Sequence, residues 1–211
     1  MKSFNLSLGR PRRWTYFVAL LAALMLLGGL FELKHSGPEN LFNDPAGRAA
    51  VLDSWKAGNL IVLVRHAERC DHSQVPCLST PDGITARAQD VASRLGHDFE
   101  NIGLADADIM SSPLTRAEQT AEFMFGSSEP RQDWLFNCRG SMLKKVLEHK
   151  RIHHNLILVT HSECIKDLAS SMGTPLHGNP EYASSMFLAP TESSKAKMLG
   201  YLDANQWNIG K

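Results

Sequence analysis

The stretch LIVLVRHAERCD, Leu60 to Asp71, runs five aliphatic residues directly into Arg65 and His66, then adds Glu68, Arg69, Cys70 and Asp71. An unbroken apolar run of this length reads as a strand buried on both faces, which belongs inside a parallel sheet covered by helices. Such a strand aims the residues after it at one edge of the sheet, where open α/β sheets keep their ligands. A second apolar run, NLILVTH (155–161), also ends in a histidine.

The rest of the chain alternates in period. TARAQDVASRLG (85–96) places Ala88, Val91, Ala92 and Leu95 at helical spacing, with Thr85 as N-cap and Gly96 as stop. ADIMSS (107–112) reads as a short strand, and Pro113 suits the first turn of a helix reaching about Phe125. WLFNC (134–138) is expected to be another short strand, 141–150 and 164–172 helices, and 184–190 with 197–203 a late pair of strands at the sheet edge. The predicted fold is therefore α/β, a three-layer sandwich with a mostly parallel central sheet, preceded by an N-terminal apolar helix.

Charge is balanced overall, with 22 basic and 22 acidic residues, but four of the basic ones (Lys2, Arg10, Arg12, Arg13) fall in the first 13 positions. The remainder has a formal charge of −4, which argues against a nucleic-acid partner. From Trp14 to Phe31 no residue is charged. As a helix this run spans roughly 27 Å, close to a bilayer core of about 30 Å. The expectation is a cytoplasmic basic flank and a transmembrane signal anchor over 1–31, with a cleaved signal peptide as the alternative. A tether follows over 32–58, broken by Gly37-Pro38 and Asp44-Pro45 and containing a short helix at 47–56, and the catalytic domain occupies 59–211. That places the domain in the periplasm, on the inner membrane or free of it after cleavage.

Four cysteines fit an oxidising compartment and allow three pairings; Cys70–Cys77 and Cys138–Cys164 are the expected disulfides, against the alternative of four reduced thiols. No Cys-x-x-Cys pair suggests zinc.

Three strand ends now deliver chemistry to one edge: Arg65 and His66, then Arg116 through SSPLTR, then His161. Separated by 51 and 45 residues, Arg65, Arg116 and His161 meet only through the fold. Guanidinium forks match phosphate oxygens two at a time. A neutral histidine is a nitrogen nucleophile, and a second one can donate a hydrogen bond to a further phosphate oxygen. The set describes phosphoryl transfer without a metal or other cofactor.

These residues carry a resemblance. LVRHAER resembles the Arg-His-Gly motif of the histidine phosphatase superfamily, which includes phosphoglycerate mutases and acid phosphatases. SSPLTRAEQTA is similar to that family's second-arginine helix, ILVTH to its second-histidine strand, and GITARAQDVASRLG to its first helix after the phosphate loop. Within the superfamily, RHAERCD, CLS, GIT and the positions of Cys138 and Cys164 resemble the exported lipopolysaccharide core heptose(II)-phosphate phosphatase group. The resemblance implies a phosphoglycerate mutase-like fold and a phosphorylated sugar of the lipopolysaccharide core as substrate. It makes His66 the nucleophile of a phosphohistidine intermediate, with Arg65, Arg116 and His161 holding the phosphate; apart from the resemblance, Arg69 is a candidate for lining the phosphate pocket. Two positions depart from the pattern. Ala67 replaces the usual glycine, and Ser162-Glu163 follows His161 in place of an aspartate directly after the second histidine.

The proton donor to the leaving group is the open element. Glu163 is the leading candidate, ahead of Asp133, Asp71 and Glu68, each of which could instead pair with an arginine of the site. The alternatives within the same chemistry are a small phosphohistidine or sugar-phosphate phosphatase; outside it stands a catalytically idle phosphate-binding envelope protein. The remaining histidines, and Ser112 and Thr115, read as surface, capping or packing residues.

Overall fold

Residues 60–64 are fully buried because the strand they form lies mid-sheet with a core on each face. The side chains of β1 (Ile61–Arg65) alternate: Val62 and Val64 join Leu60 in one core, Ile61 and Leu63 enter the other. Strand β3 (Asn155–Thr160) repeats this, with Ile157 and Val159 on one side and Leu156 and Leu158 on the other. This period of two is the pleat itself. With β2 (Ala107–Ser111), β4 (Ser185–Thr191) and β5 (Lys195–Leu202), the sheet has the order β2-β3-β1-β4-β5.

The computed structural model describes residues 13–34, 37–126, 131–191 and 195–210. The chain divides into two units, Met1–Ser36 and Gly37–Lys211. The first contains helix α1 (Arg13–Lys34), whose side chains are described as far as Leu26. Among the described residues no helix is long and apolar enough to cross a membrane. Lys2, Arg10 and Arg12 of the basic flank lie outside the described residues.

In the second unit, α2 (Pro45–Lys56), α3 (Ala86–Ile102) and α4 (Thr115–Phe125) cover one face of the sheet through Val51, Trp55, Ala92, Leu95, Phe99 and Ala121. Helices α5 (Met142–His149) and α6 (Ser162–Ser171) cover the other through Met142, Val146, Ile165 and Leu168. This is the three-layer arrangement. The sheet is more mixed than expected: β2, β3 and β1 pair in parallel, but β4 runs antiparallel to β1 and β5 antiparallel to β4. For β4 and β5 the reason is covalent. Strands β4 and β5 are joined by a short connection, which permits only an antiparallel pair, whereas parallel neighbours need a helical crossover.

Other expectations are corrected. WLFNC is no strand. The chain makes a single bridge to the sheet edge at Arg131–Ser111 and then a short 3-10 turn, Asp133–Leu135, which buries Leu135 against α5 and α6. Gly96 does not stop α3, which continues to Ile102 and ends at Gly103 with φ 91°. Gly96 serves packing: a Cβ there would lie 2.2 Å from the Met124 carbonyl oxygen of α4. The segment expected as a tether is integral from Gly37 onward. Leu41 and Val51 are fully buried, and Asn155 accepts from the Leu60 N–H while donating to the Trp55 carbonyl, tying α2 to the start of β1. Helix α4 begins at Thr115, after Pro113 rather than with it. Both expected disulfides are present, Cys70–Cys77 and Cys138–Cys164.

Candidate active site

Parallel pairing levels the ends of β1, β2 and β3. The ladder runs on past them, with His66 N–H donating to Thr160 O at 2.9 Å and Ser112 N–H to Val159 O at 3.0 Å. His66, Ser112 and His161 therefore leave the sheet side by side. Helix α4 starts just beyond Ser112 and carries Arg116 in its first turn; α6 starts with His161 as its N-cap. Two helix N-termini thus face the same edge, a favourable setting for an anion.

His66 is buried, and its Nδ1 lies 2.8 Å from the Ala67 carbonyl oxygen. A carbonyl only accepts, so the hydrogen is on Nδ1 and the lone pair on Nε2. Arg116 Nε donates to that lone pair at 3.2 Å. Burial pushes the His66 pKa well below 6.5 against the opposing pull of the Ala67 carbonyl, and His161, Arg116 and Arg65 lower it further. The ring is neutral at neutral pH, as a nucleophile requires.

The His161 ring lies 5.1 Å from that of His66. Its Nε2 is 2.7 Å from Ser112 Oγ, which already accepts the Leu114 N–H at 3.3 Å. Ser112 is thus disposed to donate its own hydrogen to Nε2, which favours the His161 hydrogen on Nδ1. That Nδ1 is buried and has no protein partner among the described residues. Burial, with Arg116 next, lowers the His161 pKa to about 4.

Arg65 is half-buried. Its Nη1 donates to the Pro180 carbonyl, its Cζ lies 3.8 Å over the Tyr182 ring, and its Nε is buried without a protein partner among the described residues. Arg65 Nε and His161 Nδ1 are thus two buried nitrogens without a protein acceptor among the described residues, and buried donors left unmatched are costly. Thr120 joins the parts: its Oγ1 accepts the Ala67 N–H at 2.9 Å and donates to Arg116 O at 2.6 Å. Ala67 works through its backbone, and positive φ among described non-glycine residues occurs at His153 and Ala183 alone, so alanine replaces glycine here without strain.

The acids separate. Glu68 is held by Arg87 and Thr85, and Asp71 by a two-point pair with Arg69. Asp133 is exposed on its turn. Glu163 makes no ion pair among the described residues, and its charge acts on Arg65, Arg116 and His161 together. Burial opposes its ionisation, but its own backbone N–H, the Ser162 hydroxyl, His161 and Arg65 outweigh that and hold its pKa below the usual range. Arg69, engaged with Asp71, borders the cluster and lowers the Arg116 pKa after the larger effect of burial.

One relative, the lipopolysaccharide core heptose(II)-phosphate phosphatase of Escherichia coli O157:H7, is 32% identical over 159 residues, covering 73% of this chain and 76% of its own. The chain belongs to the histidine phosphatase superfamily. The protein of the same name from Salmonella paratyphi B is 28% identical over 191 residues, covering 89% of this chain and 92% of its own. No family model matches. Among solved structures, the protein histidine phosphatase SixA complexed with tungstate superposes with a TM-score of 0.53 at 14% identity, over 71% of this chain and 99% of that one. A phosphoserine phosphatase from Entamoeba histolytica gives 0.50 at 14%, over 71% and 99%. These two show a shared fold. The protein is a phosphatase, a hydrolase of phosphomonoesters.

Sequence reasoning missed Tyr182, Thr120 and Ser112 as parts of the phosphatase site. Ser112 directly follows a strand end and could have been placed by that position. Tyr182 has no such signal. It comes from the segment entering β4, where Ala183 adopts φ 58° and the Ser184 carbonyl accepts the Arg65 N–H at 3.0 Å.

The two histidines set an acid limit on stability. Their folded pKa values lie below the unfolded 6.5, so the unfolded chain binds more protons on acidification. Their contribution is intact above about pH 6.5 and is lost as pH falls toward 4. Urea unfolding at pH 7 and pH 5 is expected to show a loss of roughly 2 kcal/mol from His161 alone. His161→Asn removes that titration and is expected to make the profile shallower, leaving the His66 part.

Proposed function

We propose that this phosphatase is exported, held at the inner membrane by its N-terminal helix, and removes phosphate from a sugar of the lipopolysaccharide core through a phosphohistidine on His66. The single observation that carries the chemistry is the His66 Nε2 lone pair, with Arg116 on it, the His161 ring beside it and the Arg65 charge acting on the same ring. In the first step Nε2 attacks phosphorus in line, the P–O bond to the sugar breaks, and the alkoxide takes a proton. In the second, water attacks phosphorus, the P–N bond breaks, and inorganic phosphate leaves with His66 restored. The arginines, and His161 through Nδ1–H, hold the oxygens whose charge grows in each transition state.

Glu163 is the proton carrier in this reading. It is ionised in the free protein. A phosphomonoester whose second ionisation falls near pH 6 brings both a proton and negative charge, which raises the carboxyl pKa. Glu163 gives that proton to the leaving alkoxide and recovers one from water in the second step.

The sugar substrate is supported by the relatives' name. Export and anchoring are supported by the basic flank before the uncharged run from Trp14 to Phe31. Exposed apolar side chains around α1, among them Trp14, Phe17, Leu20, Leu21 and Leu24, point the same way, as do the two disulfides. The test uses the full chain in a cell lacking it. Restoring the protein is expected to lower the phosphate content of the isolated core, with the protein in the inner-membrane fraction and its carboxyl-terminal domain open to external protease in spheroplasts. Unchanged core phosphate with an active purified enzyme would reject the substrate; a protease-resistant domain would reject the topology.

A further inference from the structure

We infer that the cleft beside His161 is the subsite for the leaving group and is built for a neutral, polyhydroxylated ring; this rests on the phosphatase reading above and specifies how its sugar is held. The cleft measures about 800 Å³ and includes both His161 and Glu163 in its wall, so it is continuous with the phosphate-holding cluster. That size suits a small-molecule site. The Tyr182 ring also packs near His66, with centroids 5.7 Å apart, and does not line this cleft.

The lining has three properties. First, Phe136 offers an open aromatic face: it is 47% exposed, and its ring meets His161 edge-on at 5.6 Å. An aromatic face beside polar groups suits the C–H face of a sugar. Second, charges cancel. Arg139 and Lys166 line it together with Glu163 and Asp167, two charges of each sign, while hydroxyls, each a donor and an acceptor, suit such a mixed wall. Lys166 donates to Asn179 Oδ1 at 3.3 Å, which orients that amide. Third, the wall is fixed before substrate arrives. The Cys138–Cys164 disulfide ties the loop to α6, and Asp167 Oδ1 accepts the Gly140 N–H at 2.8 Å. Asp167 Oδ2 is buried with no protein donor among the described residues, an acceptor that a substrate hydroxyl would satisfy.

The test compares kcat/KM for a methyl heptoside phosphate and for ethyl phosphate, two alkyl phosphates differing in the ring. The wild-type protein is expected to prefer the heptoside by at least about tenfold. Asp167→Asn keeps the acceptor for Gly140 but turns the buried oxygen into a donor. That variant, and separately Phe136→Ala with Asn179→Ala, are each expected to cut the preference about tenfold. A wild-type protein without preference, variants that slow both substrates in proportion, or a preference abolished by high salt would overturn the inference. An enzyme that cleaves neither compound would overturn the phosphatase chemistry it rests on, a separate and recognisable failure.

Discussion

With His66 replaced by alanine, turnover is expected to fall by roughly 10⁴-fold or more, to the background of the assay. No other described side chain offers a lone pair at that point. The His161 lone pair, on Nε2, is taken by Ser112, and that residue's hydroxyl is in turn committed to His161 and Leu114. The decisive measurement is acid-labile, alkali-stable phosphoenzyme after rapid quenching: present in the wild type, absent in His66→Ala. Phosphate affinity in the variant is the control for folding, since both arginines remain. Label on the variant, or substantial turnover, would move the nucleophile elsewhere.

Loss of the Arg116 guanidinium comes second. Arg116→Ala is expected to lower kcat/KM by about 10²- to 10³-fold, as removal of one preorganised donor does. Arg116→Lys is expected to recover a minor part, because an ammonium lacks the planar fork. A further effect follows from the hydrogen bond between Arg116 Nε and His66 Nε2. In the free protein this arginine occupies the nucleophilic lone pair, and on binding it must turn to a phosphate oxygen. It also lowers the His66 pKa by its charge, after the larger effects of burial and His161 and against the Ala67 carbonyl, which raises it. Its removal raises that pKa, so the acid limb of the kcat/KM profile is expected to shift to higher pH in Arg116→Ala. An unmoved limb would show that the two side chains are uncoupled.

The apolar runs at 60–64 and 155–160 carried most of what the sequence revealed. Runs buried on both faces belong to central parallel strands, and here they neighbour one another in the sheet. Their terminal histidines consequently lie together, and Arg116 follows from a helix that begins at the same edge. WLFNC misled because four apolar or small residues in five read alike in a strand and in a turn pressed onto two helices; period alone does not separate them. Gly96 misled because glycine signals both a helix end and a close approach of backbones, and only the position of Met124 decides. Tyr182 was illegible for a different reason. Its place over Arg65 depends on how the chain enters β4, a long-range contact between residues 117 positions apart with no local periodicity to announce it.

Both disulfides fasten the catalytic edge: Cys70 directly follows Arg69, and Cys138–Cys164, itself buried in the core under α5 and α6, closes the loop against the turn carrying His161 and Glu163. A chain made under reducing conditions would lack the two fastenings on which the shape of its mouth depends. Adding a thiol reductant is then expected to loosen that mouth and lower turnover.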